Sequence, residues 1–142
     1  GTVYVVDDDE AVRDSLVTRM EAFVDTANGE HPIRHVYRRE KVYKGYDENV
    51  IPDLFIANNA GYRVSWQTSL GGIPPQLFEI NKKKWSGDHC SLDPEITKGI
   101  FFSNRRYDVA GVNILDIYPT ICRELGVSLP GDLDGRELAP VH

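Results

Sequence analysis

The fold class that the sequence predicts is α/β, with a mainly parallel sheet flanked by helices. Two observations predict it. Apolar or β-branched runs of strand length stand at Thr2-Val3-Tyr4-Val5-Val6, at Leu54-Phe55-Ile56-Ala57 and at Ile100-Phe101-Phe102. Apolar residues also recur at helical spacing in two places, at Val12, Leu16, Met20, Phe23 and Val24, and again from Ile114 to Leu125.

In chain order, Asp7-Asp8-Asp9 ends the first strand, and any of the three can cap the helix expected over residues 10–24. Asn28-Gly29 closes that helix as a turn. Residues 33–38 alternate apolar and charged side chains and read as a strand. Pro52 opens the next strand, and residues 62–66 continue it or pair nearby. Residues 67–86 carry Gly71-Gly72, Pro74-Pro75 and Lys82-Lys83-Lys84 without periodicity, so a long irregular and mobile loop is expected. After Ile100-Phe101-Phe102 comes the second helix, in which Pro119 fits only within the first turn. Gly126 stops that helix, and the tail from Ser128 is rich in turns. No internal repeat or low-complexity segment is visible.

The 142 residues suffice for a single domain, spanning 1–142, with a core of its own. The net charge of −6 disfavours nucleic acid, whose nonspecific binding rests on neutralising phosphates with Lys and Arg. The local basic run Arg34, Arg38, Arg39, Lys41 and Lys44 reads as a solvated face. No apolar run approaches the ~20 residues that span a bilayer, so no membrane is expected. No charged-then-apolar leader opens the chain, which leans towards a cytoplasmic protein. Cys90 and Cys122 form no CxxC pair and read as free thiols, one of them buried.

One ordered set of motifs carries the chemistry. Trp85-Ser86-Gly87-Asp88-His89-Cys90 is followed by Gly99-Ile100-Phe101-Phe102-Ser103-Asn104. Then come Leu115-Asp116-Ile117-Tyr118-Pro119-Thr120 and Leu129-Pro130-Gly131-Asp132-Leu133-Asp134-Gly135-Arg136. A neutral imidazole is a good zinc ligand, and Gly87 permits a tight turn that presents His89. This order resembles the C-terminal end of the alkaline phosphatase superfamily, in its type I phosphodiesterase/nucleotide pyrophosphatase branch. The resemblance covers residues 31–138. It implies that His89 ligates zinc or another divalent metal and that Asp88 orients the turn beside it. It also implies a phosphate ester as substrate, with Tyr62, Arg63 and Trp66 as candidate contacts. Such a site needs further side-chain ligands and a nucleophile. The family draws them from segments upstream of the His turn, and none is assignable here. The chain therefore reads as the C-terminal portion of a larger enzyme, inactive alone, with His89 in a solvent-facing turn at the edge of the sheet.

The N-terminus carries a second signal. Val3-Tyr4-Val5-Val6-Asp7-Asp8-Asp9-Glu10 resembles the opening of a response-regulator receiver domain, whose acidic residues hold Mg²⁺. Asn58 stands where that family carries its phosphoacceptor aspartate, and an amide forms no acyl phosphate. The alternatives are thus a degenerate receiver-like signalling module or a non-enzymatic α/β interaction domain.

Overall fold

The computed structural model describes residues 1–84 and 92–141. Its contacts divide the chain into two units, Gly1–Lys98 and Gly99–His142.

The first unit is built on a three-stranded sheet. Strand β1 (Thr2–Val3) is short, β2 spans Ile33–Arg38 and β3 spans Leu54–Asn58, in the order β1-β3-β2. Both pairings are antiparallel, with Thr2 opposite Phe55 and Val36 opposite Ile56. The expected mainly parallel sheet is therefore corrected. Parallel neighbours need a crossover that returns the chain to the same end of the sheet. The connection from β2 to β3 instead contains only the four-residue helix α2 (Arg39–Val42) and turns.

β3 is the centre because it is apolar on both faces: Leu54, Phe55 and Ala57 are buried, and Val36 of β2, opposite Ile56, is buried beside them in the sheet. Helix α1 (Glu10–Glu21) starts where expected, and Asp9 caps it by accepting from the Ala11 and Val12 amides. Its apolar stripe is less covered than the periodicity suggested. Val12 is exposed, and Leu16, Met20 and Phe23 line an open depression of about 340 Å³ together with Arg19 and Ile33. The buried residue of this helix is Arg13.

Residues 62–66 form no strand. Helix α3 (Trp66–Ser69) begins there instead, because the Ser65 hydroxyl accepts from the Gln67 amide and starts a helical turn. From residue 70 to residue 84 the chain is irregular, as its Gly and Pro content requires. Phe78 ties this stretch down by stacking on Phe23, with ring centroids 5.7 Å apart.

The second unit holds a 3₁₀ turn (Ile114–Asp116) that runs into helix α4 (Ile117–Glu124), with Pro119 in the first turn and Gly126 closing the helix at φ +66°. Its buried apolar residues include Cys122, a free thiol, Pro119 and Leu138. The strand expected at Ile100-Phe101-Phe102 is absent, and Ile100 and Phe102 are both exposed. No helix among the described residues is long and apolar enough to cross a membrane.

Candidate functional site

A dense group of charge in the first unit joins Arg39, which the sequence placed on a solvated face, and Asp8, read as a strand end or helix cap, to Arg13, Glu40 and Asp53. Asp53 directly precedes β3 and is almost fully buried. Its Oδ2 accepts from the Val5 amide at 2.8 Å, and its Oδ1 lies 3.3 Å from Arg39 Nη1 and 3.9 Å from Arg13 Nη1. Arg39 also donates to Asp8 at 2.9 Å, and its guanidinium lies over the Tyr46 ring, 5.4 Å from the centroid. Arg13 donates to Glu40 at 2.7 Å and stands 3.4 Å from Asp8. Two arginines thus meet three carboxylates.

The electrostatics follow. Burial pushes the Asp53 carboxyl up, but the Val5 amide, Asp8 and the two guanidinium groups outweigh it and hold the carboxyl below 3.8. Glu40 is likewise held below 4.5. Burial opposes this, and its own backbone hydrogen bond and Arg13 prevail. Burial works against the charge on Arg39, yet Asp8, Asp53 and Tyr46 keep the guanidinium protonated.

This arrangement pins the N-terminal segment to α1, α2 and the start of β3. Asp7 and Asp8 adopt φ of +58° and +51° so that the chain can turn here, a conformation that Asp tolerates better than most residues. Asp8 is engaged by arginines and Asp9 caps α1, so these acids serve the turn and the helix start. The basic run is corrected in part as well. Arg39 is buried, Arg34 reaches the fully buried Asp93 at 3.1 Å, and Arg38 pairs with Asp14. A signal for Arg13 was present, since residues 13, 16 and 20 share a helix face with the apolar stripe.

Of the candidates from the sequence, His89 and Asp88 lie outside the described residues, as do Trp85 and Cys90. Tyr62 is held within the fold: its hydroxyl donates to Asp25 at 3.1 Å and accepts from Asn28 at 2.8 Å. The Asn28 bond favours the phenolate, but burial and the Asp25 carboxylate prevail and raise the phenol above its ordinary value. Arg63 lies over Trp66, 4.6 Å from the ring centroid, and Trp66 is partly exposed on α3. The structure therefore joins Arg63 to Trp66 and commits the Tyr62 hydroxyl to Asp25 and Asn28. Among the described residues, no three His, Cys, Asp or Glu side chains are grouped to hold a metal ion.

In the second unit, two sequence motifs meet for a physical reason. Asp116 Oδ1 accepts from the Arg136 amide and Oδ2 from the Asn113 amide, both at 2.9 Å. These two bonds hold its carboxyl below 3.8. The Thr120 hydroxyl accepts from the Leu138 amide at 3.0 Å. Gly135 lies so close to Leu115 that a Cβ there would stand 2.1 Å from the Leu115 carbonyl oxygen. The Leu-Asp-Ile-Tyr-Pro-Thr and Gly-Asp-Leu-Asp-Gly-Arg segments are thus halves of one interlocked element.

No protein-family model, curated protein or solved structure matches the chain.

Proposed function

We propose that the chain is the C-terminal portion of a metal-dependent phosphodiesterase or phosphatase of the alkaline phosphatase type, contributing His89 to the metal site and inactive alone. The ordered motifs from Gly87-Asp88-His89 to Gly135-Arg136 carry this reading. Support comes from apolar surface left without cover. Eight large apolar side chains, at Val6, Leu70, Ile73, Leu77, Ile80, Ile100, Phe102 and Ile114, are each at least 78% exposed. Burying them would contribute roughly 12–24 kcal/mol at ~1.5–3 kcal/mol each, as much as or more than the ~5–15 kcal/mol net stability of an ordinary domain. A larger parent protein that packs against these residues accounts for them.

The described residues supply no ligand set of their own, so on this reading the other ligands and the nucleophile come from the rest of the parent. Bound there, zinc or a similar divalent ion supplies Lewis-acid polarisation of the phosphate ester. Trp66 and Arg63 offer a ring face and a positive charge to a substrate, and Asp88 orients the His89 turn. The partner in this reading is a phosphate ester, with neither nucleic acid nor a membrane; the net charge of −6 supports the former exclusion.

The test is turnover of a nitrophenyl phosphodiester by the isolated chain with added zinc or manganese, alongside zinc binding by calorimetry. Negligible turnover is expected, with weak zinc binding that disappears in His89→Ala. Robust turnover lost in His89→Ala would show a complete site and overturn the fragment reading. Zinc binding unchanged in that variant would remove His89 from it.

A further inference from the structure

The chain has one Asn-Gly pair, Asn28-Gly29, in an exposed turn after α1. Gly29 adopts φ +77°, and nothing lies within 4 Å of where its Cβ would stand. An asparagine followed by glycine can cyclise on itself, because no side chain hinders the following backbone nitrogen. That nitrogen, on losing its proton, attacks Asn28 Cγ. The new C–N bond forms, the bond to Nδ2 breaks, and ammonia leaves with a proton. Water then opens the five-membered imide at either carbonyl and leaves aspartate or isoaspartate.

The fold engages the three polar atoms of this reaction. The Gly29 amide donates to the Asp25 carbonyl at 2.7 Å. Asn28 Oδ1 accepts from the Glu30 amide at 2.9 Å, and Nδ2 donates to the Tyr62 hydroxyl at 2.8 Å. Tyr62 passes the direction on by donating to Asp25 Oδ2 at 3.1 Å. The chain of donors therefore runs one way, from Asn28 through Tyr62 to the buried Asp25. We propose that Asn28 is a self-modification site, deamidating to aspartate or isoaspartate, whose rate the fold restrains through the Asn28–Tyr62–Asp25 chain.

Modification reverses the logic of that chain. A carboxylate at position 28 has no N–H to donate to Tyr62, and the single phenolic proton can serve only one of two carboxylates. The new negative charge also faces Asp25. Tyr62 packs edge-on against Phe78, with centroids 6.3 Å apart, and Phe78 stacks on Phe23. Loss of the Tyr62 tie therefore reaches the contact that anchors the 70–84 stretch, and the site acts as a latch that opens irreversibly with age.

The test incubates the full chain in mildly alkaline buffer and follows the amide-to-acid mass gain by peptide mapping, in the folded protein and in urea. The gain is expected at Asn28, slow in the folded wild type and absent in Asn28→Gln, whose longer side chain does not close the same ring. Tyr62→Phe keeps the ring but not the hydroxyl. It should react about fivefold faster, the factor one hydrogen bond contributes to a local opening equilibrium, with its circular dichroism unchanged. Equal rates for folded wild type, Tyr62→Phe and the urea-unfolded chain would overturn the restraint, and no gain at Asn28 in urea would overturn the site. A second variant, Asn28→Asp, builds in the product. Faster amide hydrogen exchange in peptides covering residues 25–30 and 59–64 is expected, and unchanged exchange would overturn the latch.

Discussion

Asp53→Asn removes one charge from the arginine cluster while keeping the shape of the side chain, and the amide oxygen can still accept from Val5. Its cost comes from what the charge was balancing. The Asp53 and Arg39 side chains are 5% and 4% exposed, whereas the other acids of the cluster, Asp8 and Glu40, are 48% and 40% exposed. Asp53 is therefore the one carboxylate that neutralises the guanidinium groups out of reach of water. Breaking a buried pair from one side costs about 3–5 kcal/mol. The remaining contact from Asp8 to Arg39 places the expectation at the lower end, about 3 kcal/mol. That is a large share of the ~5–15 kcal/mol net stability of a small domain. Urea unfolding followed by far-ultraviolet circular dichroism reads it as a lower midpoint with an unchanged slope. Removing both partners, in Asp53→Leu with Arg39→Met, should recover much of the loss, because the desolvation of both charges disappears with them. A cost below ~1 kcal/mol for Asp53→Asn, or a double variant as poor as the two single losses added, would refute the buried-pair reasoning.

The same cluster sets an acid limit. Asp53 and Glu40 are held below 3.8 and 4.5, so the stability they contribute is complete above those values and is lost as pH falls through their lower folded-state range. Unfolding on acidification should therefore steepen below about pH 4 and flatten in Asp53→Asn. Asp9→Ala should cost about 1 kcal/mol through loss of the α1 cap, measured by the same denaturation. Gly135→Ala should disrupt the second unit, since its Cβ meets the Leu115 carbonyl at 2.1 Å; amide exchange in residues 113–138 should rise sharply, and native-like protection would contradict the close approach. Acetyl phosphate with Mg²⁺ should leave the intact mass unchanged, because Asn58 is an amide and Asp8 and Asp53 are engaged by arginines; a phosphate removed by changing Asp53 or Asp8 would revive the receiver-like reading.

Local signals were legible wherever local chemistry decides. The Asp9 cap, the start of α1, the strand at Ile33–Arg38, Pro119 in the first turn of α4, the stop at Gly126 and the irregular stretch before residue 85 all follow from propensity, capping and glycine conformation. These need only neighbours within a few positions. The motif pair around Asp116 and Arg136 was legible as a pattern, but its meaning was not, because the contact joins residues twenty positions apart.

Strand direction, burial of charge and exposure of apolar groups belonged to the tertiary structure. An apolar run such as Leu54–Asn58 pairs equally well in either sense, and the path of residues 39–53, with only the one-turn helix α2 and turns and no crossover helix, returns it antiparallel. Ile100-Phe101-Phe102 has strand composition, but a strand needs a partner, and the segment is irregular with Ile100 and Phe102 exposed. Arg39 read as a surface residue because Arg is mostly exposed, and only the convergence of Asp8, Glu40 and Asp53 from three segments makes the burial of Arg39 and Arg13 tolerable. Composition and spacing by themselves determined where α1 begins, where Pro119 sits in α4 and where Gly126 ends it, but not the short helices α2 and α3. The folded structure decided which charges meet, because that depends on groups brought together from distant positions.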